Sequence, residues 1–252
     1  KQLKSKSIKN EELIIFMYSG SIEFGCLMSS ILDKHNIKAS VNIQLFWELY
    51  SNYKIKLNRD YINNKLEDTQ NHYRKLNLLT CSSEQHNQWK NIFNYETKIL
   101  PQASTTFPDE LVIKHIGHRN FPDNYTHKPK KILFPANPKI ERGFETTIRF
   151  SNYVCKKFTE VEPTLRRIRL KENTEQLKVL NDSINPDVKL IEGALNIADY
   201  RNMFLQADIS ILPYSSAFKL RPSGALVDSL ILGIPIITTK NTYLGNKVEH
   251  FG

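Results

Sequence analysis

No stretch of this 252-residue chain is apolar over the roughly 20 residues that a bilayer-spanning helix needs. Cysteine is scarce. Cys26, Cys81 and Cys155 stand far apart and are odd in number, with no CxxC pair and no Cys/His ligand spacing. That argues against a zinc site or a disulfide framework and suits a reducing compartment. Dense Lys/Arg runs and aromatic-interleaved basic patches are missing too, so nucleic acid is not an expected partner. There is no internal repeat and no low-complexity tract. The opening KQLKSKSIKN is basic and polar, with no apolar stretch of signal-peptide type behind it.

What is present is a basic surplus: 35 Lys and Arg against 26 Asp and Glu, a formal net charge of +9. A surplus of this size suits polyanions, membrane surfaces or phosphate-bearing ligands, and is equally met in the solvated surface of a chain rich in Lys, Asn and Ile. Hydrophobic residues make up 40% and charged residues 24%, enough to bury a core. The length suits one large domain or two small ones.

Strand and helix patterns alternate along the chain. ELIIFMYS (12–19), ASVNIQLFW (39–47), LNLLTCSS (76–83) and TKILPQAS (97–104) read as strands. IEFGCLMSSILDKHN (22–36), a polar stretch at 58–75 and EQHNQWKNIF (84–93) read as helices, the last capped by Ser82 or Ser83. Between 105 and 130 the pattern dissolves among prolines, histidines and Asp-Asn turn signals, which predicts a connection between domains. A second unit then opens with the strand KILFPAN (131–137). It continues through a helix at 145–158, a strand at 164–171 and a helix at 172–184. A strand at 188–193, a helix at 198–207, a strand at 208–216, a helix at 223–233 and a strand at 234–239 complete it. Such alternation predicts an α/β fold with parallel sheets. The expected division is a domain over 1–110, a connection over 111–130 and a second domain over 131–252.

The richest chemistry lies in LRPSGALVDSLILGIPIITT, residues 220–239. Ser223 and Gly224 stand where a helix begins, and unpaired N–H groups there, with the helix dipole, suit a phosphate. Arg221 can fork onto phosphate oxygens. Asp228, one turn past Gly224, can accept hydrogen bonds from sugar hydroxyls. The plainer alternative is that Ser223 only caps the helix and Asp228 is only a first-turn charge.

The longer stretch VKLIEGALNIADYRNMFLQADISILPYSSAFKLRPSGALVDSLILGIPIITT resembles the C-terminal, nucleotide-sugar-binding domain of GT-B glycosyltransferases of the retaining, family-4-like type. The family's order of a glycine loop, a helix and strand ending in "lP", and an acid-bearing helix ending "EAlalGkPvi" is present, the last as VDSLILGIPII. The 76–104 stretch resembles, more weakly, the last strands of the acceptor-side domain. The resemblance implies two Rossmann-like domains, both truncated in this sequence, and transfer of a sugar from a nucleotide-diphosphate sugar. The acceptor, whether a glycan, a lipid-linked molecule or a protein, is left open. It implies no metal and no cofactor beyond the donor itself. The expected location is cytoplasmic, with contact to a membrane surface left open.

Carried over by position, Arg142 and Gly143 in ERGF match the "KG" pair that meets the diphosphate. Ser223, Gly224 and Ala225 supply amides to it. Asp228 matches the Glu that holds the ribose. Gly193, Ala194 and Leu195 match the loop against which the base packs, and Tyr214 lines the donor pocket. Each has a plainer alternative: Arg142 as a surface cation, Gly193 as a turn glycine, Tyr214 as core. The sequence also departs from the family. Position 228 is one methylene shorter than Glu. The Arg of the first loop is replaced near Ala136, with Arg221 as its expected substitute. Leu220 stands near the place of the first acid, which contacts the transferred sugar. Phe46 and Trp47 stand where a His often follows the 39–47 strand. His115, His118 and His127 are candidates for acceptor binding, without metal-triad spacing. The departures leave two other readings open: a noncatalytic, degenerate GT-B binding or scaffold module, and a GT-B epimerase.

Overall fold

The structure is a computed structural model. It describes residues 13–18, 22–37, 39–45, 63–64, 67, 76–100, 105–118, 130–136, 139–167, 178 and 182–251. The helices expected at 58–75 and 172–184, the positions Phe46 and Trp47, and His127 lie wholly or largely outside these residues. The chain forms two compact units, residues 1–101 and 102–252.

The first unit contains β1 (Leu13–Tyr18), α1 (Ile22–Lys34), β2 (Ala39–Leu45), β3 (Leu76–Thr80), α2 (Ser83–Phe93) and β4 (Lys98–Ile99). Its strands lie side by side in chain order, all parallel, with Val41 opposite Leu76 and Ile15 opposite Val41. The period-2 pattern of β2 explains its place. Ala39, Val41, Ile43 and Leu45 enter a core with Leu32, Leu78 and Trp89, while Ser40, Asn42 and Gln44 take the other face. Asn42 is tied across the sheet to Asn77, and the buried Gln44 amide donates to the carbonyl of Leu100. Helix α2 starts at Ser82, whose hydroxyl accepts from the Gln85 N–H at 3.2 Å while the Gln85 side chain accepts from the Cys81 N–H.

The second unit begins with α3 (Asp109–His118), inside the stretch whose pattern reads as a connection. Pro108 precedes it, Asp109 and Glu110 occupy its first turn, and Phe107, Leu111 and Val112 pack into the core of this unit. Then come β5 (Lys130–Phe134), a 3-10 turn (Ile140–Arg142), α4 (Phe144–Lys157), β6 (Val161–Arg167) and β7 (Lys189–Glu192). They are followed by α5 (Ile197–Leu205), β8 (Ile209–Leu212), α6 (Gly224–Ile231), β9 (Ile236–Thr238) and α7 (Tyr243–Phe251).

All five strands are parallel, in the order β7-β6-β5-β8-β9. Alternate residues of β5 face opposite layers. Ile132 and Phe134 meet Phe144 and Ile148 of α4, and Leu133 meets Met203 and Phe204 of α5. A parallel sheet covered on both faces is the usual solution for such strands. β6 begins at Val161, before the 164 start that its alternation predicts, because Pro163 does not break the ladder. Pairing of β6 with β7 starts only at Thr164, so the missing proline N–H has no ladder bond to lose on that side.

Starting from β5, the chain steps outward to β6 and β7 and then returns to β8 on the other flank of β5. Open α/β sheets hold ligands at this reversal, outside the carboxyl ends of the strands.

Candidate functional site

The loops leaving β5 and β8 meet at that reversal. The loop after β5 tightens into the 3-10 turn and reaches Gly143 in the left-handed region, φ 72°. A Cβ on Gly143 would lie 1.8 Å from the carbonyl oxygen of Pro213, so only glycine lets the two loops approach this closely. A second tie comes from Ser215, whose N–H and hydroxyl both donate to the carbonyl of Glu141, at 3.0 and 2.8 Å. The carbonyl of Gly143 accepts from the Thr147 N–H and so starts α4.

Arg142 therefore projects from a fixed turn. Its side chain lines a narrow cleft, together with Phe134, Ala136, Phe144, Thr147 and a second cation, Arg166 of β6. The Nε atoms of Arg142 and Arg166 are both buried and have no hydrogen-bond partner among the described residues. Burial pulls the proton affinity of Arg166 down; Tyr200 opposes this and the charge of Arg142 adds to it. The residues lining the cleft include no carboxylate. Two arginines with buried, unpartnered Nε atoms and no carboxylate among the lining residues form a place for an anion.

Asp228 has a different setting. It lies in α6 at 3% exposure, and both of its oxygens are engaged. Oδ1 accepts from the Thr105 hydroxyl at 2.8 Å and the Thr106 N–H at 3.3 Å; Oδ2 accepts from the Tyr200 hydroxyl at 2.8 Å. Burial first, then the Asp228 charge and hydrogen bond, push the Tyr200 phenol far above its ordinary range, so it stays a donor. Arg201 adds a bond from Nε to the Thr106 carbonyl. The carboxylate matched to a ribose ligand thus fastens the segment before α3 onto α5 and α6.

The other expected residues fall into three groups. Tyr214 is core: 2% exposed, its ring centroid 4.4 Å from that of Phe218, its hydroxyl 3.2 Å from the Ser223 hydroxyl. Ser223 is the N-cap residue of α6 in backbone terms, but its side chain does not cap the helix. The N–H groups at Gly224 and Ala225 belong to the first turn, which helix geometry leaves without intrahelical acceptors. Arg221 is buried at 9% exposure with its guanidinium 4.4 Å from the Phe218 ring centroid, and it is not among the residues lining the Arg142 cleft. Gly193 takes φ 83° at the end of β7; Ala194 beyond it is exposed, and Leu195 packs at the edge of the core.

The structure thus joins Arg142 and Gly143 to the Pro213–Tyr214 turn and Tyr214 to Ser223, while Asp228 is bound up elsewhere. Arg166, Tyr200 and Thr105 are the participants that sequence reading missed. No local signal marks Arg166: its place near the carboxyl end of an interior strand, where ligands bind, follows only from the sheet order. His115 is half-buried on α3. Among the described residues no group of three His, Cys, Asp or Glu is placed to hold a metal.

No family model and no curated protein sequence matches the chain. Solved structures match it in fold. The α,α-trehalose 6-phosphate synthase of Burkholderia multivorans aligns with a TM-score of 0.58 and 7% identity, over 94% of this chain and 59% of its own. TarM aligns at 0.57 and 10% identity, over 94% of this chain and 46% of its own. The sucrose-phosphate synthase of Thermosynechococcus elongatus aligns at 0.55 and 9%, over 89% and 55%. These are GT-B glycosyltransferases, and the chain has their fold, an α/β architecture of Rossmann-like units. It spans about half the length of the solved structures it matches.

Proposed function

We propose that the chain is the nucleotide-diphosphate-sugar-binding part of a glycosyltransferase, with the donor held by the second unit. The observation that carries this reading is the buried Nε of Arg142, without a hydrogen-bond partner among the described residues, on a turn fixed by the Gly143–Pro213 contact at the reversal of a five-stranded parallel sheet. Transfer of a sugar leaves a nucleoside diphosphate whose charge grows as the glycosidic bond breaks. A cation placed beforehand, with the first-turn amides of α6, lowers that barrier without rearrangement, and groups of this kind contribute several kcal/mol each. In this reading Ser223, Gly224 and Ala225 face the diphosphate, and the 193–195 loop takes the base. The cations do the neutralising that a metal does in other transferases. Among the fold relatives, one is described through glycosyl transfer with retention and another was solved with UDP-2-fluoro glucose, which supports a retaining reaction and a nucleotide-sugar donor. The acceptor class stays open among glycans, lipid-linked molecules and proteins.

One observation favours the second reading, a noncatalytic GT-B module. Asp228 is 3% exposed and bonded to Thr105, Thr106 and Tyr200, so a ribose reaches it only if this covering shifts. Binding tests the donor site, and turnover then separates the two readings. A thermal-shift panel with UDP, GDP, ADP, CMP and their common sugars is run on the wild type and on Arg142→Ala. A ligand at 100 times its dissociation constant stabilises by about 2.7 kcal/mol. Both readings expect a shift with one diphosphate that Arg142→Ala abolishes. Only the transferase releases that diphosphate from its sugar, with or without acceptor. A panel with no shift overturns the donor site.

A further inference from the structure

The proposed diphosphate site is one cation short of the pattern it resembles. Ala136 stands where the first loop of the family carries an Arg, and the expected substitute, Arg221, is buried against Phe218 instead. Ala136 does line the Arg142 cleft, and so does Arg166, which enters from the neighbouring strand β6. We propose that Arg166 is a second anion-binding residue and that Arg142 and Arg166 form a two-guanidinium clamp for a diphosphate, with Arg166 replacing the cation absent at Ala136. This rests on the donor-site reading.

Three observations carry the proposal. The small side chain of Ala136 leaves part of the cleft wall to other residues, and the one cation brought there from another strand is Arg166. Both Nε atoms are buried and unpartnered among the described residues, so each guanidinium has a donor with nothing to donate to. Finally, no carboxylate among the lining residues neutralises the pair. Asp228 is linked to Arg166 through Tyr200, whose ring centroid lies 6.0 Å from the Arg166 guanidinium carbon and whose hydroxyl donates to an Asp228 oxygen. Two like charges sharing a cleft with no carboxylate among its lining residues work against the folded state. They make sense where a ligand brings the compensating charge. A diphosphate suits the pair because each planar fork presents parallel N–H groups to neighbouring oxygens.

Calorimetric titration with inorganic pyrophosphate tests the clamp without depending on any base. The proteins are wild type, Arg142→Gln, Arg166→Gln and Arg166→Lys. The wild type is expected to bind, and each Gln variant to weaken binding about tenfold or more. Arg166→Lys should recover only part of the loss, since an ammonium cannot fork. Unliganded Arg166→Gln should melt at or above the wild-type temperature, because the substitution relieves repulsion and burial of a charge. A structural arginine would instead melt lower on replacement. Wild-type protein that ignores pyrophosphate, Arg166→Gln that binds like wild type, or Arg166→Gln that unfolds earlier overturns the clamp. If pyrophosphate binds with the expected arginine dependence and no nucleoside diphosphate binds more tightly, the clamp stands and the nucleotide reading falls.

Discussion

At the scale of single residues, Asp228 shows how a correct choice of residue can miss its direction. An acid one turn into a helix is visible in VDSLILG, but two of its partners lie more than a hundred residues upstream, at Thr105 and Thr106, and no local pattern announces them. The structure predicts a stability effect that a solvent-facing ligand would not have. Asp228→Ala strands the Thr105 hydroxyl, the Thr106 N–H and the Tyr200 hydroxyl, and should cost about 2–4 kcal/mol in urea unfolding. A midpoint within about 0.5 kcal/mol of wild type would mean the clasp is not made. Gly143 was legible as a site residue for a different reason than the one that holds it. Its φ of 72° and the 1.8 Å that would separate an added Cβ from the Pro213 carbonyl oxygen make it a geometric necessity. Gly143→Ala should lose at least about 2 kcal/mol and lower diphosphate affinity by moving Arg142, read by thermal melting and calorimetry.

At the scale of elements, strands and helices with clean periodicity were legible, and those that break a local rule were not. β2 and α2 follow from alternation and from a serine cap. α3 was hidden because Pro108 and the histidines around it read as loop, whereas Pro108 starts the helix and Phe107, Leu111 and Val112 anchor it. The start of β6 was hidden by Pro163, which is harmless only because β7 has not yet begun to pair there. The α2 cap gives a sharp test. Sequence left Ser82 and Ser83 as equal candidates; the structure gives the bond to Ser82, while the hydroxyl of exposed Ser83 contacts Glu84. Ser82→Ala should cost about 1 kcal/mol of stability and Ser83→Ala almost nothing. Equal losses in denaturant midpoints would contradict this assignment.

At the scale of the whole molecule, alternation of elements foretold parallel sheets, but not the order β7-β6-β5-β8-β9. That order is set by which strands pair across long separations, as when Ile132 meets Ile209. It creates the reversal where Arg142 and Arg166 converge, so Arg166 was not legible as a site residue from its own strand alone. Both units also bury weak acids in neutral form. Burial pushes the Cys81 thiol up to about 11, and Tyr95, Tyr200 and Tyr214 are likewise raised, chiefly by burial. The unfolded chain gives up these protons first. The stability they contribute is therefore complete below about pH 9 and is lost as pH rises through 9 to 11 and beyond. Melting temperature should hold between about pH 7 and 8.5 and fall steadily above about 9; a flat profile to about pH 11 would contradict the burial of these groups.

The central claim, that a nucleoside diphosphate binds at the strand-order reversal of the second unit, is tested most directly by a crystal structure grown with the diphosphate that gives the largest thermal shift. The account predicts the two phosphates between the guanidiniums of Arg142 and Arg166, at the carboxyl ends of β5 and β6. Phosphates bound away from both arginines would contradict it.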